Sequence, residues 1–331
     1  MDLLVDSFGR RHDYLRMSLT ERCNLRCFYC MPEEGIPLRD KAHFMRDEEV
    51  FRIAETFVRL GVKKIRLTGG EPLVRRGAGE IIRALGTLPV ELAVTTNGIL
   101  IDQHIDALRD AGVRAVNVSL DSLKEQRQAM ISRRNYFDRI MTNIRMLLNE
   151  NFHLKINVVV MKGVNDDELV DFVELTRDRP VHIRFIEFMP FQGNQWNWAK
   201  GVGYEEMVTA IRTHYGETSV SRLMEKPNET AKCFGVRGYA GSFGVISSVT
   251  HPFCNTCNRI RITADGKMKN CLFSSSETDL LTPLRNGEDI VPPIVRSIVS
   301  KYAQRGGMDV FTGTVDPRRI DKNRSMVAIG G

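Results

Sequence analysis

The sequence predicts an α/β fold, in which an incomplete, laterally open TIM-like barrel of the (βα)6 type is followed by a smaller β-rich module. Extended apolar segments alternate with helical patterns from residue 14 to residue 189. These six strand–helix units are fewer than the eight of a closed barrel. After about residue 195 the pattern changes to short strands and turns, which predicts the second module.

The predicted strands are mostly rich in β-branched residues, and most end in a polar or glycine cluster. They span residues 14–20, 63–68, 90–96, 115–121, 154–161 and 181–189. Successive strand–helix units require parallel strands joined by right-handed crossovers. The candidate functional residues follow the strand ends. Because doubly wound sheets use the same strand ends, this placement alone does not prove a barrel.

The clearest predicted helix covers residues 46–61, where an apolar stripe runs between Asp47 as the N-cap and Gly61 as the stop. Residues 101–112 and 165–178 show similar patterns. Each of these helices follows a predicted strand, so each completes one unit of the barrel.

The second module follows a predicted helix at residues 204–216. Beyond that helix, the Asp265-Gly266 pair between two short extended segments predicts a β-hairpin. We therefore expect two domains, with the partial barrel at residues 1–219 and the auxiliary-site and substrate-binding module at residues 220–331.

The composition limits the possible partners. Of the 331 residues, 42% are hydrophobic, which is enough to bury a full core. The chain shows neither a run of about 18 uncharged apolar residues nor a secretory leader, so we expect a cytoplasmic protein without a membrane partner. The net charge of +6 fits a solvated basic surface or a polyanionic ligand such as a nucleotide. Nucleic acid is disfavoured, because no long basic run or aromatic-studded basic stripe is present.

Two tight groups of three cysteines, plus one single cysteine, indicate two metal sites and not a disulfide framework. The first group is Cys23, Cys27 and Cys30, directly after the first strand. An iron–sulfur cluster normally takes four thiolates, so three leave one iron open for the amino and carboxylate groups of S-adenosylmethionine. A zinc site is the alternative, with His12 or His43 as the nearest candidate for a fourth ligand.

A glycine-rich segment, Gly69-Gly70-Glu71-Pro72, follows the second strand. Glycines at a strand end let backbone groups approach a ligand closely. Alone, such a segment is equally well explained as a simple turn. At about forty residues after the first triad, it resembles the S-adenosylmethionine-binding stretch of the radical S-adenosylmethionine superfamily.

The second triad is Cys254, Cys257 and Cys271. It again offers three thiolates, so it suits a second 4Fe–4S cluster whose free iron can coordinate substrate. A zinc site with His251 as the fourth ligand is the alternative, because His251 lies only three residues before Cys254.

Two arginines lie between the last two cysteines of this triad. On a strand, Arg259 and Arg261 share one face, while Ile260 and Ile262 share the other. Neighbouring guanidinium groups suit phosphate oxygens, although arginine pairs are more often exposed surface residues. Their position inside a metal-binding loop favours the ligand-binding interpretation.

Together these motifs resemble the GTP 3′,8-cyclases of molybdenum-cofactor biosynthesis, a family of radical S-adenosylmethionine enzymes. The resemblance covers nearly the full length, and the cysteine triads with NRIRIT are more selective than any single motif. It is carried by YLRMSLTERCNLRCFYCMP, KKIRLTGGEPLVRR, LAVTTNG, VNVSLDSL, LKINVVVMKGVND, HIRFIEFMP, FCNTCNRIRIT, CLF and the terminal Gly330-Gly331. Cys233 belongs to neither triad, and we interpret it as a buried or incidental thiol.

The resemblance implies a 4Fe–4S cluster at each triad, with S-adenosylmethionine as co-substrate and GTP as substrate. The residues that it assigns to S-adenosylmethionine are Tyr29, Gly70, Ser119 and Met189. The residues that it assigns to GTP are Arg16, Arg66, Thr95, Lys155, Arg259, Ile260 and Arg261. It also suggests a homodimer, and a tail, Gly330-Gly331, that threads into the barrel near the substrate and acts in catalysis.

The implied reaction begins when a 5′-deoxyadenosyl radical removes hydrogen from C3′ of the ribose. The ribose radical then attacks C8 of guanine, and reduction gives 3′,8-cyclo-7,8-dihydro-GTP. Two other functions remain as alternatives at this stage. One is a peptide-modifying radical enzyme with an auxiliary cluster, and the other is a non-catalytic iron–sulfur or zinc sensor that binds a nucleotide.

Overall fold

The computed structural model describes residues 3–31, 35–36, 39–224, 227–308 and 323–330. Within these ranges twelve strands form one sheet. The strands are β1 (Tyr14–Ser18), β2 (Lys64–Thr68), β3 (Glu91–Thr96), β4 (Ala115–Ser119), β5 (His153–Val160), β6 (His182–Glu187), β7 (Val220–Arg222), β8 (Lys232–Val236), β9 (Ser242–Ile246), β10 (Arg259–Ile262), β11 (Lys267–Lys269) and β12 (Thr278–Asp279).

The strand order across the sheet is β12-β11-β10-β1-β2-β3-β4-β5-β6-β9-β8-β7. The eight central strands, from β10 to β9, are all parallel. Antiparallel strands continue the sheet at both edges. Among the described strands the two edges do not pair with each other, so the barrel is laterally open. The six predicted strands and the open parallel arrangement are confirmed.

Strands from the C-terminal part of the chain widen this barrel on both sides. Arg16 of β1 lies opposite Arg261 of β10, and Arg184 of β6 lies opposite Gly244 of β9. The predicted β-rich module therefore adds one parallel strand next to each end of the six-stranded array. The predicted division between residues 219 and 220 stays a prediction, since strands from both sides share one sheet.

Besides six short 3-10 helices, ten α-helices lie in the described ranges. They are α1 (Asp47–Arg59), α2 (Ala78–Gly86), α3 (Ile101–Asp110), α4 (Glu125–Ser132), α5 (Phe137–Asn149), α6 (Leu169–Glu174), α7 (Tyr204–Tyr215), α8 (Leu281–Arg285), α9 (Val291–Val299) and α10 (Met326–Ile329). None of the described helices is long and apolar enough to cross a membrane.

The helix and hairpin predictions hold, with two corrections. Arg46, not Asp47, is the N-cap of α1, and the Arg46 N–H donates to the Glu49 carboxylate at 2.7 Å. Asp47 is instead the first helical residue. Its negative charge there interacts favourably with the positive end of the helix dipole. The segment predicted at 165–178 forms only a short 3-10 turn followed by the brief helix α6. The predicted hairpin is confirmed as β10–β11.

Strict alternation along the strands separates an apolar outer face from a polar lumen. In β1, Leu15 and Met17 are fully buried in the same hydrophobic core as Phe57 of α1. Ile156 and Val158 of β5 belong to this core as well. The residues between them project into the barrel, which is why the lumen can carry charged and polar side chains.

Candidate active site

The first cysteine triad lies in the loop that leaves β1 at its carboxyl end. The backbone N–H groups of Cys30 and Met31 both donate to the carbonyl oxygen of Cys27, at 2.9 and 3.0 Å, and form a tight turn. Cys23, Cys27 and Cys30 line one cavity, which we call the first cavity. The structure therefore brings the predicted triad to one site.

The glycine-rich segment after β2 packs directly against the triad loop. The N–H of Gly70 donates to the carbonyl oxygen of Thr20 at 2.7 Å, and the N–H of Glu71 donates to that of Arg22 at 2.8 Å. A Cβ atom on Gly70 would lie 2.5 Å from the Arg22 carbonyl oxygen, so this approach requires glycine. The segment holds the backbone just before Cys23, and Gly70 also lines the first cavity.

Glu71 is a buried carboxylate beside the first cavity. It accepts hydrogen bonds from the N–H of Asn97 at 2.6 Å, the N–H of Leu73 at 3.0 Å and the hydroxyl of Thr96 at 2.8 Å. Burial nevertheless raises the pKa of Glu71 to about 7. The Asn97 amide also donates to Sγ of Cys23 at 3.9 Å. Glu71 thus links the end of β3 to the triad loop.

A second buried carboxylate, Asp121, holds Tyr29 in place. The Tyr29 hydroxyl donates to Asp121 at 2.7 Å, and the N–H of Val159 donates to the other carboxylate oxygen at 2.9 Å. Burial raises the pKa of Asp121 to about 6. Asp121 was not among the predicted site residues. The available signal was its spacing, because it follows Ser119 of β4 by two residues, the period of a strand.

The four residues predicted for S-adenosylmethionine line two neighbouring cavities that share several lining residues. Tyr29 and Ser119 line both the first cavity and a second one, which we call the central cavity. Gly70 lines the first cavity, and Met189 lines the central cavity. Cys30 borders both, so all four predicted positions line cavities that also touch the first triad.

The chemistry of the first triad fits an iron–sulfur cluster. Burial raises the pKa of Cys23 to about 11, and it raises the pKa values of Cys27 and Cys30 as well, so the metal-free thiols keep their protons. Iron would replace those protons, since thiolates are the usual cluster ligands. In the described ranges no three His, Cys, Asp or Glu side chains are grouped to hold a single metal ion. In a cluster each thiolate binds a different iron, which requires a wider spacing.

The second triad also opens on one cavity. Cys254 begins a short helical turn between β9 and β10, Cys257 ends it, and Cys271 follows β11. All three line the central cavity, together with a thiol of the first triad. Burial alone would raise the pKa of Cys257, but the charges of Arg259 and Lys301 lower it to about 6. A stabilised thiolate at this position suits a cluster ligand.

His251 does not join the second triad. Its side chain is 46% exposed, and its Nδ1 lies 3.1 Å from the Thr250 hydroxyl. Its ring contacts the Tyr204 ring, with 5.2 Å between the centroids. His251 does not line the central cavity. The structure therefore gives no support to the zinc alternative that needs His251 as a ligand.

Four arginines line the central cavity. The strand register places Arg16 next to Arg261, and Arg184 and Arg259 border the same space. Burial and the neighbouring guanidinium groups lower the pKa of Arg16 to about 10 and that of Arg261 to about 9. Like charges crowded in a buried space repel one another, and a polyanionic ligand would offset this repulsion.

Arg66 and Lys155, both predicted for GTP, lie in the lumen but do not border the central cavity. The Nε of Arg66 donates to the Tyr14 hydroxyl at 2.6 Å, and its Nη1 donates to the Val94 carbonyl oxygen at 2.8 Å. Burial and the charge of Arg184 lower the pKa of Lys155 to about 8. Both residues therefore add positive charge near the cavity without lining it.

Ile260 differs from the other residues predicted for GTP. Its side chain is fully buried in the hydrophobic core, on the face of β10 opposite Arg259 and Arg261. The alternation of the strand turns it away from the central cavity, so only its backbone remains available to a ligand. A substrate role for the Ile260 side chain is not supported.

Several polar side chains around the central cavity have a buried atom without a hydrogen-bond partner in the described part of the chain. They are the hydroxyl of Thr95, the amide oxygens of Asn117 and Asn157, and Nε of Arg184. Buried polar groups are normally paired, so these atoms indicate a polar ligand. Thr95 was predicted for GTP. Asn117 and Arg184 were missed, although both alternate with buried apolar residues as lumen residues do.

The described end of the tail enters the barrel at the carboxyl ends of β1 and β2. The carbonyl oxygen of Gly330 accepts a hydrogen bond from Nη1 of Arg261 at 2.7 Å. A Cβ atom on Gly330 would lie 2.8 Å from both Cβ of Ser18 and Oγ1 of Thr68, and its φ of +87° also favours glycine. Gly331 lies outside the described residues.

Two family models match consecutive parts of the chain. The Radical SAM superfamily model matches residues 17–176, and the Molybdenum Cofactor Synthesis C model matches residues 181–306. The first range holds one cysteine triad and the second range holds the other. The two models therefore meet close to the end of the six-stranded array.

Solved structures share the fold at low sequence identity. The crystal structure of Streptococcus suis SuiB bound to its precursor peptide SuiA gives a TM-score of 0.63 at 15% identity. That match covers 88% of this chain and 67% of SuiB. The structure of SuiB bound to S-adenosylmethionine gives a TM-score of 0.60 at 16% identity, over 88% of this chain and 68% of that one. These similarities establish the fold alone.

Curated relatives match over nearly the whole chain. The mitochondrial GTP 3′,8-cyclase of Arabidopsis thaliana is 45% identical, over 100% of this chain and 84% of its own length. The GTP 3′,8-cyclase of Rhodopirellula baltica is 40% identical, over 99% of this chain and 92% of its own. Human molybdenum cofactor biosynthesis protein 1 is 44% identical over 98% of this chain, which spans about half (51%) of that relative. The chain therefore belongs to the GTP 3′,8-cyclase family, within the radical S-adenosylmethionine superfamily.

Proposed function

We propose that this protein converts GTP to 3′,8-cyclo-7,8-dihydro-GTP in molybdenum cofactor biosynthesis. The observation that carries the proposal is the central cavity, which is bordered by Cys30, by the second triad and by four arginines. The central cavity thus extends from Cys30 of the first triad, where the radical would form, to a positively charged lining that suits a nucleoside triphosphate. The printed names of the Arabidopsis and Rhodopirellula relatives support the same substrate.

Cys23, Cys27 and Cys30 would hold a 4Fe–4S cluster that binds S-adenosylmethionine. When bound, the reduced cluster and S-adenosylmethionine would supply a 5′-deoxyadenosyl radical able to abstract hydrogen from C3′ of the ribose. The chain contributes the shape of the binding space through Tyr29, Gly70, Ser119 and Met189. Asp121 keeps the Tyr29 ring in place through its 2.7 Å hydrogen bond.

The arginines of the lumen hold the triphosphate. Arg16, Arg259 and Arg261 contact it from one side of the open barrel, since β1 and β10 are neighbours. Arg184 adds charge from β6, which lies across the open barrel from β1 and β10. Fixing the triphosphate and the base at the same time presents C3′ to the radical and lowers the entropic barrier. Thr95 offers a hydroxyl without a protein partner in the described ranges, so it is available to the ligand.

In this proposal Cys254, Cys257 and Cys271 would hold a second 4Fe–4S cluster, which would supply an iron site for the purine. Three observations support it. The three thiols open on the same cavity. Nearby cations stabilise the Cys257 thiolate. The candidate fourth ligand, His251, lies outside that cavity.

The decisive experiment is anaerobic reconstitution followed by turnover with GTP, S-adenosylmethionine and a reductant. We expect 5′-deoxyadenosine and the cyclic product, with cleavage of S-adenosylmethionine stimulated by GTP. Failure to form 5′-deoxyadenosine would favour a nucleotide-binding sensor. Cleavage that does not respond to GTP, and that yields no cyclic product, would favour the peptide-modifying alternative.

We also propose that the protein is a homodimer located in the cytoplasm. The dimer rests on the family resemblance alone. The location is supported by the cysteines, since all seven are unpaired and reducing compartments keep thiols free. Light scattering during anaerobic gel filtration measures the dimer directly, and a monomeric mass would contradict it.

A further inference from the structure

Lys301 lies in the segment after α9, buried beside the second triad. It is 4% exposed, and its Nζ lies 3.6 Å from Sγ of Cys257, 3.1 Å from the carbonyl oxygen of Arg259 and 3.5 Å from Nδ1 of His12. A lysine ammonium carries three N–H donors and no acceptor. The three neighbours therefore match its three donors.

His12 completes this arrangement from the segment before β1. Because its Nδ1 accepts from the ammonium, its proton lies on Nε2, which donates to Oδ2 of Asp6 at 3.1 Å. His12 is fully buried, and burial lowers its pKa to about 4, so the ring stays neutral and able to accept. Asp6 is itself 4% exposed. His12 therefore contacts the ammonium directly, and Asp6 holds the His12 ring.

Arg10 ties the same segment to the loop of the second triad. Its Nε donates to Asp6 at 2.6 Å. Its terminal nitrogens donate to the carbonyl oxygens of Cys254 at 2.9 Å, Tyr302 at 2.8 Å and Ala303 at 2.7 Å. The N-terminal segment therefore joins the triad loop and the chain after α9 into one hydrogen-bonded unit, which the roles proposed above do not use.

We infer that Lys301 is a positioning residue for the second cluster: its ammonium donates a hydrogen bond to the sulfur of Cys257 and raises the reduction potential of that cluster. Hydrogen bonds to ligand sulfurs and nearby positive charge both favour the reduced, more negative state. Asp6 and His12 keep the ammonium against the sulfur. This inference rests on the second cluster of the proposed function, and it adds a residue that tunes the potential of that cluster.

The test uses the full-length protein with Cys23, Cys27 and Cys30 replaced by alanine, so that the second triad holds the remaining cluster. This parent and its Lys301→Met derivative are reconstituted without air and compared by iron content and by potentiometric titration followed by electron paramagnetic resonance. We expect iron to be retained and the reduction equilibrium to shift at least tenfold toward the oxidised state, a fall of about 59 mV for a one-electron couple. Lys162→Met, at a lysine whose side chain is 53% exposed, is the matched control and should not change the potential.

The outcomes separate this inference from the cluster on which it rests. An unchanged potential in Lys301→Met overturns the inference and leaves the second cluster intact, whereas a parent protein without iron contradicts the cluster itself. If Lys301→Met loses its iron, Lys301→Gln is titrated in its place, and a potential equal to that of the parent counts equally against the inference. Loss of iron from both variants, with native circular dichroism, would make Lys301 an assembly residue and would overturn the tuning role.

Discussion

At the scale of single residues, Cys27 is one of the three proposed ligands of the first cluster. Replacing Cys27 with serine should abolish cleavage of S-adenosylmethionine, because the first cluster loses one of its three ligands. The iron of the second triad should remain. The measurements are 5′-deoxyadenosine production and iron content. Cys233→Ser is the control, since Cys233 is a buried thiol that borders neither cavity. A normal rate of 5′-deoxyadenosine formation in Cys27→Ser would refute the assignment of the first triad.

Also at the residue scale, Arg259→Ala or Arg261→Ala should weaken GTP binding by about 1.5–3 kcal/mol for each charged hydrogen bond lost. Guanosine should lose less affinity, because it has no phosphates for the arginine to contact. Equilibrium binding of both ligands to the anaerobic protein measures the difference. Arg296→Ala, at an exposed position of α9, provides the control for removal of an arginine. Equal losses for GTP and guanosine would place these side chains away from the triphosphate.

At the scale of elements, the tail next to α10 enters the barrel and is predicted to act in catalysis. Removing Gly330 and Gly331 should lower cyclisation sharply while both clusters and the thermal stability survive, because two terminal glycines contribute little to the core. Gly330→Ala should have a similar effect, since its Cβ would lie 2.8 Å from atoms of Ser18 and Thr68. Cyclic product and iron content are assayed together. Full activity of the truncated protein would mean that the tail has no role in catalysis, and joint loss of iron and activity would make it structural.

A salt bridge fixes α10 to the β10–β11 hairpin. Arg324 donates to Asp265 at 3.0 Å with both terminal nitrogens, and to Glu277 at 2.6 Å. Arg324→Ala should weaken docking of the tail by about 1.5–3 kcal/mol. Limited proteolysis should then cut the C-terminus several-fold faster, and cyclisation should fall with both clusters intact. The control is Arg83→Ala, which removes an exposed ion pair to Asp110. Unchanged proteolysis in Arg324→Ala would show that other contacts hold the tail.

At the scale of the whole molecule, the two metal sites should assemble independently, because separate loops hold them. Cys257→Ser should lower the iron content from about eight to about four per chain, on the basis of one 4Fe–4S cluster per triad. Product formation should fall with it, while cleavage of S-adenosylmethionine without GTP persists. Metal analysis of protein purified without air makes the comparison, with Cys27→Ser as the reciprocal variant. If the unmodified protein, purified without air, holds tightly bound zinc at the second triad in place of iron, the second cluster is contradicted.

The sequence by itself determined the features that depend on short stretches of chain. Strand periodicity located the six barrel strands, and the cysteine spacing located both triads. Alternation placed Arg259 and Arg261 on one face of β10 and Ile260 on the other. These features follow from local geometry, because side-chain direction repeats every two residues in a strand.

Only the tertiary structure decided which distant segments meet. It placed β9 and β10 beside the six-stranded array, and it brought Arg184 to the same cavity as Arg16. It also placed His12 against Lys301, which is 289 residues away in the chain. The physical reason is that pairing and burial depend on the packing of the complete chain. A local sequence pattern cannot predict which buried lysine will lie beside a given thiol. In the folded chain, distant segments supply the hydrogen-bond partners of Lys301.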